Sequence, residues 1–327
     1  MEINLDVSII IVNWNSVGYL ERCLASIYRN TAEISFEVII IDNASYDGCK
    51  EMLRLKFPQA RFIQSDSNVG FARANNMAFN VSRGRNILFL NPDTEININA
   101  FKILYNMLNT LPNAGIVGAK LINCDLSIQT SCIQAFPTIA NQFLNIDALR
   151  KVLRKSNIWG ASALFKSKDA PSKVDAVSGA SLMIKRSVFQ SVGMFSTDYF
   201  MYSEDIDLCY KVHKSGWNTF YIPKAIIVHY GGKSTIKSNV NAFSSIMMVE
   251  SRRRYFRKTR PAWYSKLYRI AIFIASLIRI FIVIYVWPIY AIKGERIFIE
   301  RVTGEWTARL RWTLGGEKWI QNYYKIL

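Results

Sequence analysis

Short apolar runs alternate along this chain with stretches whose apolar residues recur at a helical period. The runs are VSIIIVN at 7–13, FEVIII at 36–41, RFIQ at 61–64 and NILFL at 86–90. Runs of this length without regular polar alternation predict strands buried on both faces. Between the first two, 17–30 carries Leu20, Leu24, Ile27 and Tyr28 on one helical face. Helices are also predicted over about 48–57, where Pro58 stops the run, and over FARANNMAFNVS at 71–82. Strands alternating with helices predict an α/β fold with a mostly parallel, doubly wound sheet. Right-handed crossovers then bring the carboxyl ends of the strands to one edge, where ligands bind in such sheets.

Polar residues gather at that edge. The strand at 86–90 runs straight into Asn91, Pro92, Asp93, Thr94 and Glu95. Pro92 cannot donate to a sheet ladder, so the strand should end there. Asn13, Asp42, Asn68 and Asp93 each follow a predicted strand and so share one crevice. A carboxylate there can accept the imide N–H of a uracil or thymine ring. Gly70 and the N-terminus of the next helix can donate N–H groups to a phosphate, and Arg73 adds positive charge in that helix's first turn. Asp42 and Asn43 also suit a turn, and Asn68 a helix cap.

The second half predicts a helix over 100–109 and a strand over 115–118. Residues 123–172 show no clear period; acceptor-contacting loops are expected there. From Val174 the pattern predicts a strand interrupted by Gly179, then a helix from Arg186. Glycine inside a strand often marks close approach of a ligand. Glu204 and Asp205 open a helix whose apolar face includes Ile206, Cys209 and Val212. Glu204, Asp205 and Asp207 could cap that helix, or, near Asp93 and a metal, serve as a general base. A strand at 225–228 ends in His229, followed by Gly231 and Gly232, which makes His229 a metal-ligand candidate.

Composition sharpens this picture. The formal net charge is +17, which suggests an anionic partner such as nucleic acid, a membrane surface or a phosphorylated substrate. Much of the excess lies after Glu250, in SRRRYFRKTR and beyond. The five cysteines are scattered without metal-site spacing, which fits a reducing compartment. Neither a G-x-G-x-x-G fingerprint nor a Walker sequence occurs, which argues against an ordinary NAD enzyme or a P-loop protein. The first residues predict a strand and not a signal peptide. Residues 270–292 are apolar save for Arg279 and are long enough to cross a bilayer, which takes about 20 residues. Arg279 and Pro288 weaken a spanning reading. Basic residues flank both ends, with Lys293, Arg296 and Arg301 after it. An interfacial or hairpin segment with both flanks on one side is expected; a helix buried against the catalytic domain is the alternative.

The blocks VSIIIVNWNS, VIIIDNASYDG, NVGFARANN, LFLNPDTE, VSGASLMIKR, YFMYSEDIDLC and HYGGKS occur in this order. Together they resemble the inverting glycosyltransferases of family 2, most closely the rhamnosyltransferase-like branch that builds bacterial polysaccharides such as O-antigen. The resemblance implies a GT-A fold, and we expect a catalytic domain at 1–245 and a membrane-associated tail at 246–327. It places Asp42 on the pyrimidine base. Asp93 falls on the second Asp of the family's D-x-D pattern and would ligate Mg2+ or Mn2+, with His229 as another ligand and Glu95 as a second candidate. Asn91 stands in place of the first Asp and would face the ribose. Asn13, Asn68, Gly70, Arg73 and Gly179 would complete the nucleotide-sugar site. Asp205 would be the catalytic base, with Glu204 beside it. Phe195-Ser196-Thr197 departs from the family's F-D-E.

The expected donor is a dTDP- or UDP-linked sugar, and the expected acceptor a polyprenyl-linked or other glycan. The expected location is the cytoplasmic face of the bacterial inner membrane, and nucleic acid is not an expected partner. One rival is a nucleotidyltransferase, which would want a glycine-rich phosphate loop where Asn13-Trp14-Asn15-Ser16 stands. The other is a non-catalytic membrane scaffold, against which the intact Asp42, Asp93, Asp205 and His229 argue.

Overall fold

A computed structural model describes residues 5–145, 149, 156–166, 169–231, 238–292 and 296–325. Gly232, Lys233, Ser234, Lys293 and most of the Lys151–Ser156 patch lie outside the described residues. The chain forms two compact units. The first comprises Met1–Phe136, Lys151–Thr197 and Glu204–Ser234; the second comprises Pro137–Arg150, Asp198–Ser203 and Thr235–Leu327.

The first unit is a mixed sheet flanked by helices. Its elements run β1 (Leu5–Asn13), α1 (Val17–Asn30), β2 (Phe36–Asp42), α2 (Cys49–Lys56), β3 (Arg61–Gln64), α3 (Phe71–Phe79), β4 (Gly84–Leu90), β5 (Thr94–Glu95), α4 (Ala100–Thr110), β6 (Ala114–Ile122) and β7 (Ile133–Gln134). β8 (Ser172–Val174), β9 (Ala176–Val177), β10 (Ser181–Lys185), α5 (Arg186–Ser191), α6 (Glu204–Lys214) and β11 (Asn218–His229) follow. The strand order is β3-β2-β1-β4-β10-β6-β11-β5, with β8 also on β11. β1 pairs parallel with β2 and β4, β2 with β3, and β6 with β11. These central strands are buried on both faces, which is why their sequences read as unbroken apolar runs.

Two local predictions change. The strand expected after Val174 is divided: β9 pairs with β7 in a separate two-stranded sheet, and β10 runs antiparallel between β4 and β6. Gly179 therefore sits in the turn between β9 and β10 and not inside a strand. β11 begins well before Ala225. It continues past Pro223 through a register shift between Ile222 and Ile226, and such an irregularity accommodates the missing proline N–H.

The second unit is helical: α7 (Ser238–Thr259), α8 (Ala262–Ile292), α9 (Arg296–Thr313) and α10 (Ile320–Lys325), with a short turn of helix at Ile139–Phe143. Tyr255, Phe256, Tyr268, Ile272 and Trp312 lie in its interior. So does Glu250, which accepts from Trp312 Nε1 at 3.1 Å and pairs with Arg253 and Arg254 at 3.3 and 3.1 Å. Lys258 pairs with Asp198 at 2.8 Å. Part of the basic run SRRRYFRKTR is thus engaged inside this unit, and less of it is available to headgroups than expected.

α8 has two faces. On one, Arg279 is 8% exposed, donates to the Phe143 carbonyl at 2.7 Å and lies 4.2 Å from the centre of the Trp306 ring. On the other, Leu267, Ile270, Ile274, Leu277, Phe281 and Ile284 are exposed. By length and composition, Ala262–Trp287 could cross a membrane.

Candidate active site

β1 ends at Asn13 and β2 at Asp42, and the two are register partners, so their side chains meet. Asn13 Nδ2 donates to Asp42 Oδ1 at 2.9 Å and approaches Asp47 Oδ1 at 3.1 Å, while Asn13 Oδ1 accepts from Ser16 Oγ at 2.9 Å. Asp42 also accepts from Ser45 Oγ, from Gln64 Nε2 at 2.9 Å, and from the Ser45 and Tyr46 amides at 3.2 Å each. Burial pushes its pKa up, but hydrogen bonds from Ser45, Gln64, Asn13 and Tyr46 outweigh this and hold the carboxyl below its usual range.

Asn13 and Asp42 are both 0% exposed. For Asp42 to accept a base imide, as expected of it, one of these donors within the chain must give way. A carboxylate offers about four lone-pair sites, and groups of the protein already fill them. Asp42 also holds the turn at 43–48 through the Ser45 and Tyr46 amides. That turn presents Asp47, whose Oδ2 accepts the Ser16 and Val17 amides at 2.9 Å each and caps α1. Beside it opens a groove of about 570 Å³, lined by Asn15, Ser16, Val17, Tyr19, Arg22 and Asp47. Trp14 and Tyr46 are exposed nearby in sequence, on the loops after β1 and β2.

Asn68 caps α3. Its Oδ1 accepts from the Gly70 amide at 3.1 Å and from Asn43 Nδ2 at 2.8 Å. The Gly70 N–H, expected to face a phosphate, is thus engaged within the chain. Gly70 has φ +80° and ψ 170°, a conformation that suits glycine alone, and it turns the chain into the helix. Arg73 follows in the first turn, partly buried.

The segment after β4 meets the end of β11 through β5. His229 pairs in register with Thr94, and the Tyr230 amide donates to the Asp93 carbonyl at 2.9 Å. His229 Nε2 lies 3.3 Å from Asp93 Oδ1. Asn91 Nδ2 approaches the same ring nitrogen at 3.4 Å. The other ring nitrogen, Nδ1, is 2.8 Å from Gln129 Oε1. A carboxylate oxygen and an imidazole nitrogen facing each other form a donor pair that suits a divalent cation.

Glu95 is not part of that pair. It accepts from the Tyr230 hydroxyl at 2.8 Å and sits 3.7 Å from Arg22 Nε, whose guanidinium lies over the Tyr19 and Tyr230 rings. Asp42, Asp47 and Cys49 also cluster, with ligand atoms within 4.8 Å of one another. Those carboxylates are already hydrogen-bonded. Burial, then the two acids, pushes the Cys49 thiol up, so it offers no thiolate.

Asp205 opens the first turn of α6. Its Oδ2 accepts from the Gly179 amide at 3.0 Å and its Oδ1 from the Ile206 amide at 2.8 Å. The next residue, Ala180, accepts from the Asn91 amide at 3.0 Å. A short relay of hydrogen bonds thus joins Asp205 to Asn91 and, through the Asn91 side chain, to His229. A Cβ on Gly179 would lie 3.4 Å from Asp205 Cβ and 3.7 Å from the Phe71 ring, so Gly179 borders both the carboxylate and the start of α3. Glu204 is buried. Asp207 is 1% exposed, accepts from Ser196 Oγ and lies 4.0 Å from Lys211, so it is a packing residue. Sequence reasoning missed Asp47, Arg22 and Gln129. The block after β2 held a signal for the first, but 123–172 held none for the last.

A sequence model described as Glycosyl transferase family 2 matches residues 8–165, and one described as Glycosyl transferase family group 2 matches 87–299. The chain belongs to glycosyl transferase family 2. This family-2 chain is similar to N-acetylglucosaminyl-diphospho-decaprenol L-rhamnosyltransferase of Mycobacterium tuberculosis, 29% identical over 69% of this chain and 76% of that protein. Rhamnosyltransferase WbbL of Escherichia coli K12 is 24% identical over 68% of this chain and 83% of that one. The fold is that of a mannosyltransferase from Pyrobaculum calidifontis solved with GDP-Man and Mn2+. The TM-score is 0.59 at 16% identity, over 96% of this chain and 90% of that one. The expected GT-A fold and rhamnosyltransferase-like membership are thereby established.

Proposed function

We propose that this family-2 glycosyltransferase moves rhamnose or another hexose from a dTDP- or UDP-linked donor to a hydroxyl of a lipid-linked glycan, with inversion, in cell-surface polysaccharide synthesis. The observation that carries this reading is the relay Asp205–Gly179–Ala180–Asn91–His229, with Asp93 3.3 Å from the histidine, at the carboxyl ends of the strands. Asp205 accepts the proton of the acceptor hydroxyl while that oxygen attacks the anomeric carbon. The bond to the diphosphate breaks, and its electron pair leaves with the diphosphate. One carboxylate base suffices for such a single displacement, worth roughly 10²–10⁴-fold. Gly179 orients that base through its amide. Asp93 and His229 would hold Mg2+ or Mn2+. The ion, when bound, supplies positive charge against the departing diphosphate. The groove at Asn15–Arg22 and the exposed Trp14 and Tyr46 suit the nucleotide's base and ribose.

The names of the mycobacterial and E. coli relatives support rhamnose, and the former supports a polyprenyl-diphosphate acceptor. The exposed apolar face of α8 supports association with the membrane that carries it. Because the opposite face packs inside the helical unit, α8 lies along the cytoplasmic surface in the plane of the membrane and does not cross it. Assay of the purified chain against dTDP- and UDP-sugars, with a polyprenyl-diphosphate-sugar acceptor, tests the proposal. Release of free nucleoside diphosphate without a glycosylated product from any donor would overturn it.

A further inference from the structure

We propose that Gln129 is a positioning residue that fixes the tautomer of His229 and so aims its Nε2 lone pair at Asp93. This rests on the reading of His229 as a ligand of the divalent cation. The hydrogen bonds leave Gln129 one orientation. Its Nε2 donates to the His229 carbonyl at 2.6 Å and to Asn123 Oδ1 at 2.7 Å, so the atom facing the ring is the carbonyl oxygen. That oxygen lies 2.8 Å from His229 Nδ1 and can only accept, which puts the ring proton on Nδ1. Its backbone is held on both sides: the Gln129 amide donates to the Leu121 carbonyl at 2.9 Å, and its own carbonyl accepts from the Cys132 amide at 3.1 Å.

The consequence is a choice between two neutral states. With the proton on Nδ1, Nε2 presents a lone pair to the space it shares with Asp93 and the Asn91 amide. With the proton on Nε2, the form a histidine prefers in water, the ring would donate to Asp93 Oδ1 across the 3.3 Å gap. That hydrogen bond would close the two ligands on each other. Gln129 tips the choice towards the open state, as groups behind a ligating histidine do in metal sites.

The test uses the full-length protein in detergent micelles. The chain has two histidines, so a His213→Gln background leaves His229 as the only imidazole. Its ¹⁵N shifts report which nitrogen carries the proton, without metal and without turnover. We expect Nδ1–H in this background and Nε2–H or a mixture in Gln129→Leu. Calorimetry should then show Mn2+ affinity of Gln129→Leu weaker by on the order of 10–100-fold. Gln129→Glu, whose carboxylate also accepts from Nδ1, should keep the tautomer, while the His229 carbonyl and Asn123 Oδ1 lose their donor. Persistence of Nδ1–H in Gln129→Leu would overturn the proposal, and so would Nε2–H in Gln129→Glu, even if Gln129→Leu fails to fold. Unchanged Mn2+ affinity in Gln129→Leu would overturn it as well. If His229→Ala weakens Mn2+ binding in that case, only the role of Gln129 falls; if it does not, the ligand reading falls too.

Discussion

In the sheet unit, Ile9, Ile10 and Ile11 are 0% exposed and polar residues collect where strands stop. In the helical unit, Glu250 and Arg279 sit inside at 1% and 8% exposed, while Phe281 and Ile284 stand outside at 71% and 66%. The difference shows that a side chain's polarity does not by itself choose its side. Asp42 is inside because amides and hydroxyls surround it. Glu250 is inside because Trp312, Arg253 and Arg254 do the same for it. Phe281 is outside because none of the described residues of its own unit covers it, which makes a partner of apolar chemistry the natural complement.

The sharpest test of the sheet unit is Asp205→Asn, which keeps shape and removes the proposed base. We expect turnover to fall by about 10²–10⁴-fold, with nucleotide affinity by calorimetry unchanged. Turnover within about tenfold of the parent would remove Asp205 from the base role, since loss of a general base costs more.

The matching test of the helical unit is Phe281→Glu with Ile284→Glu. Binding to anionic vesicles, read by co-sedimentation, should weaken by at least about tenfold, which corresponds to 1.4 kcal/mol. Thermal unfolding should barely move, since surface substitutions stay within about 0.5 kcal/mol. A large loss of stability would mean that this face is packed inside. Cysteine labelling beyond Arg296 from outside intact cells would show a crossing helix and end the in-plane reading.

Arg279→Met tests the inner face of the same helix. It strips the Phe143 carbonyl of its donor and should cost about 1–3 kcal/mol, measured by thermal or chemical unfolding. If Arg279 instead faced lipid, the substitution would cost nothing.

The smallest effect expected is a pH dependence. The Asp42 pKa is lowered in the folded state, so its contribution is present above the unfolded value of about 3.9. That contribution is lost as pH falls through the lower folded value. The stability gap between the parent and Asp42→Asn should hold from neutral pH down to about 4 and narrow below it. A gap that narrows between pH 5 and 7 would contradict this.

Much of the sheet was legible because unbroken apolar runs mark strands buried on both faces. β2, β3 and β4 lie where FEVIII, RFIQ and NILFL put them. What could not be read was direction and partner. The sequence says that Asn13 and Asp42 follow strands, but not that their side chains turn inward to each other. It shows Glu95 close to Asp93, but not that Arg22 and Tyr230 draw it away. It shows Arg279 amid apolar residues, but not that Phe143, far off in the chain, waits on its inner side. Gln129 lies in a stretch without periodicity, and only the placement of His229 reveals its use.

The antiparallel insertion of β10 fixes an order of assembly. β4 and β6 are close in sequence, yet a strand at Ser181–Lys185 stands between them in the sheet. Until that segment has been synthesised and docked, each presents an open hydrogen-bonding edge. Such edges recruit other chains, and distant pairings form slowly. The nascent protein therefore passes through a stage in which the four strands β3-β2-β1-β4 lie open along β4, while β6 still lacks both β10 and β11. Fragments ending before Ser181 keep both edges and should aggregate however well their local elements form.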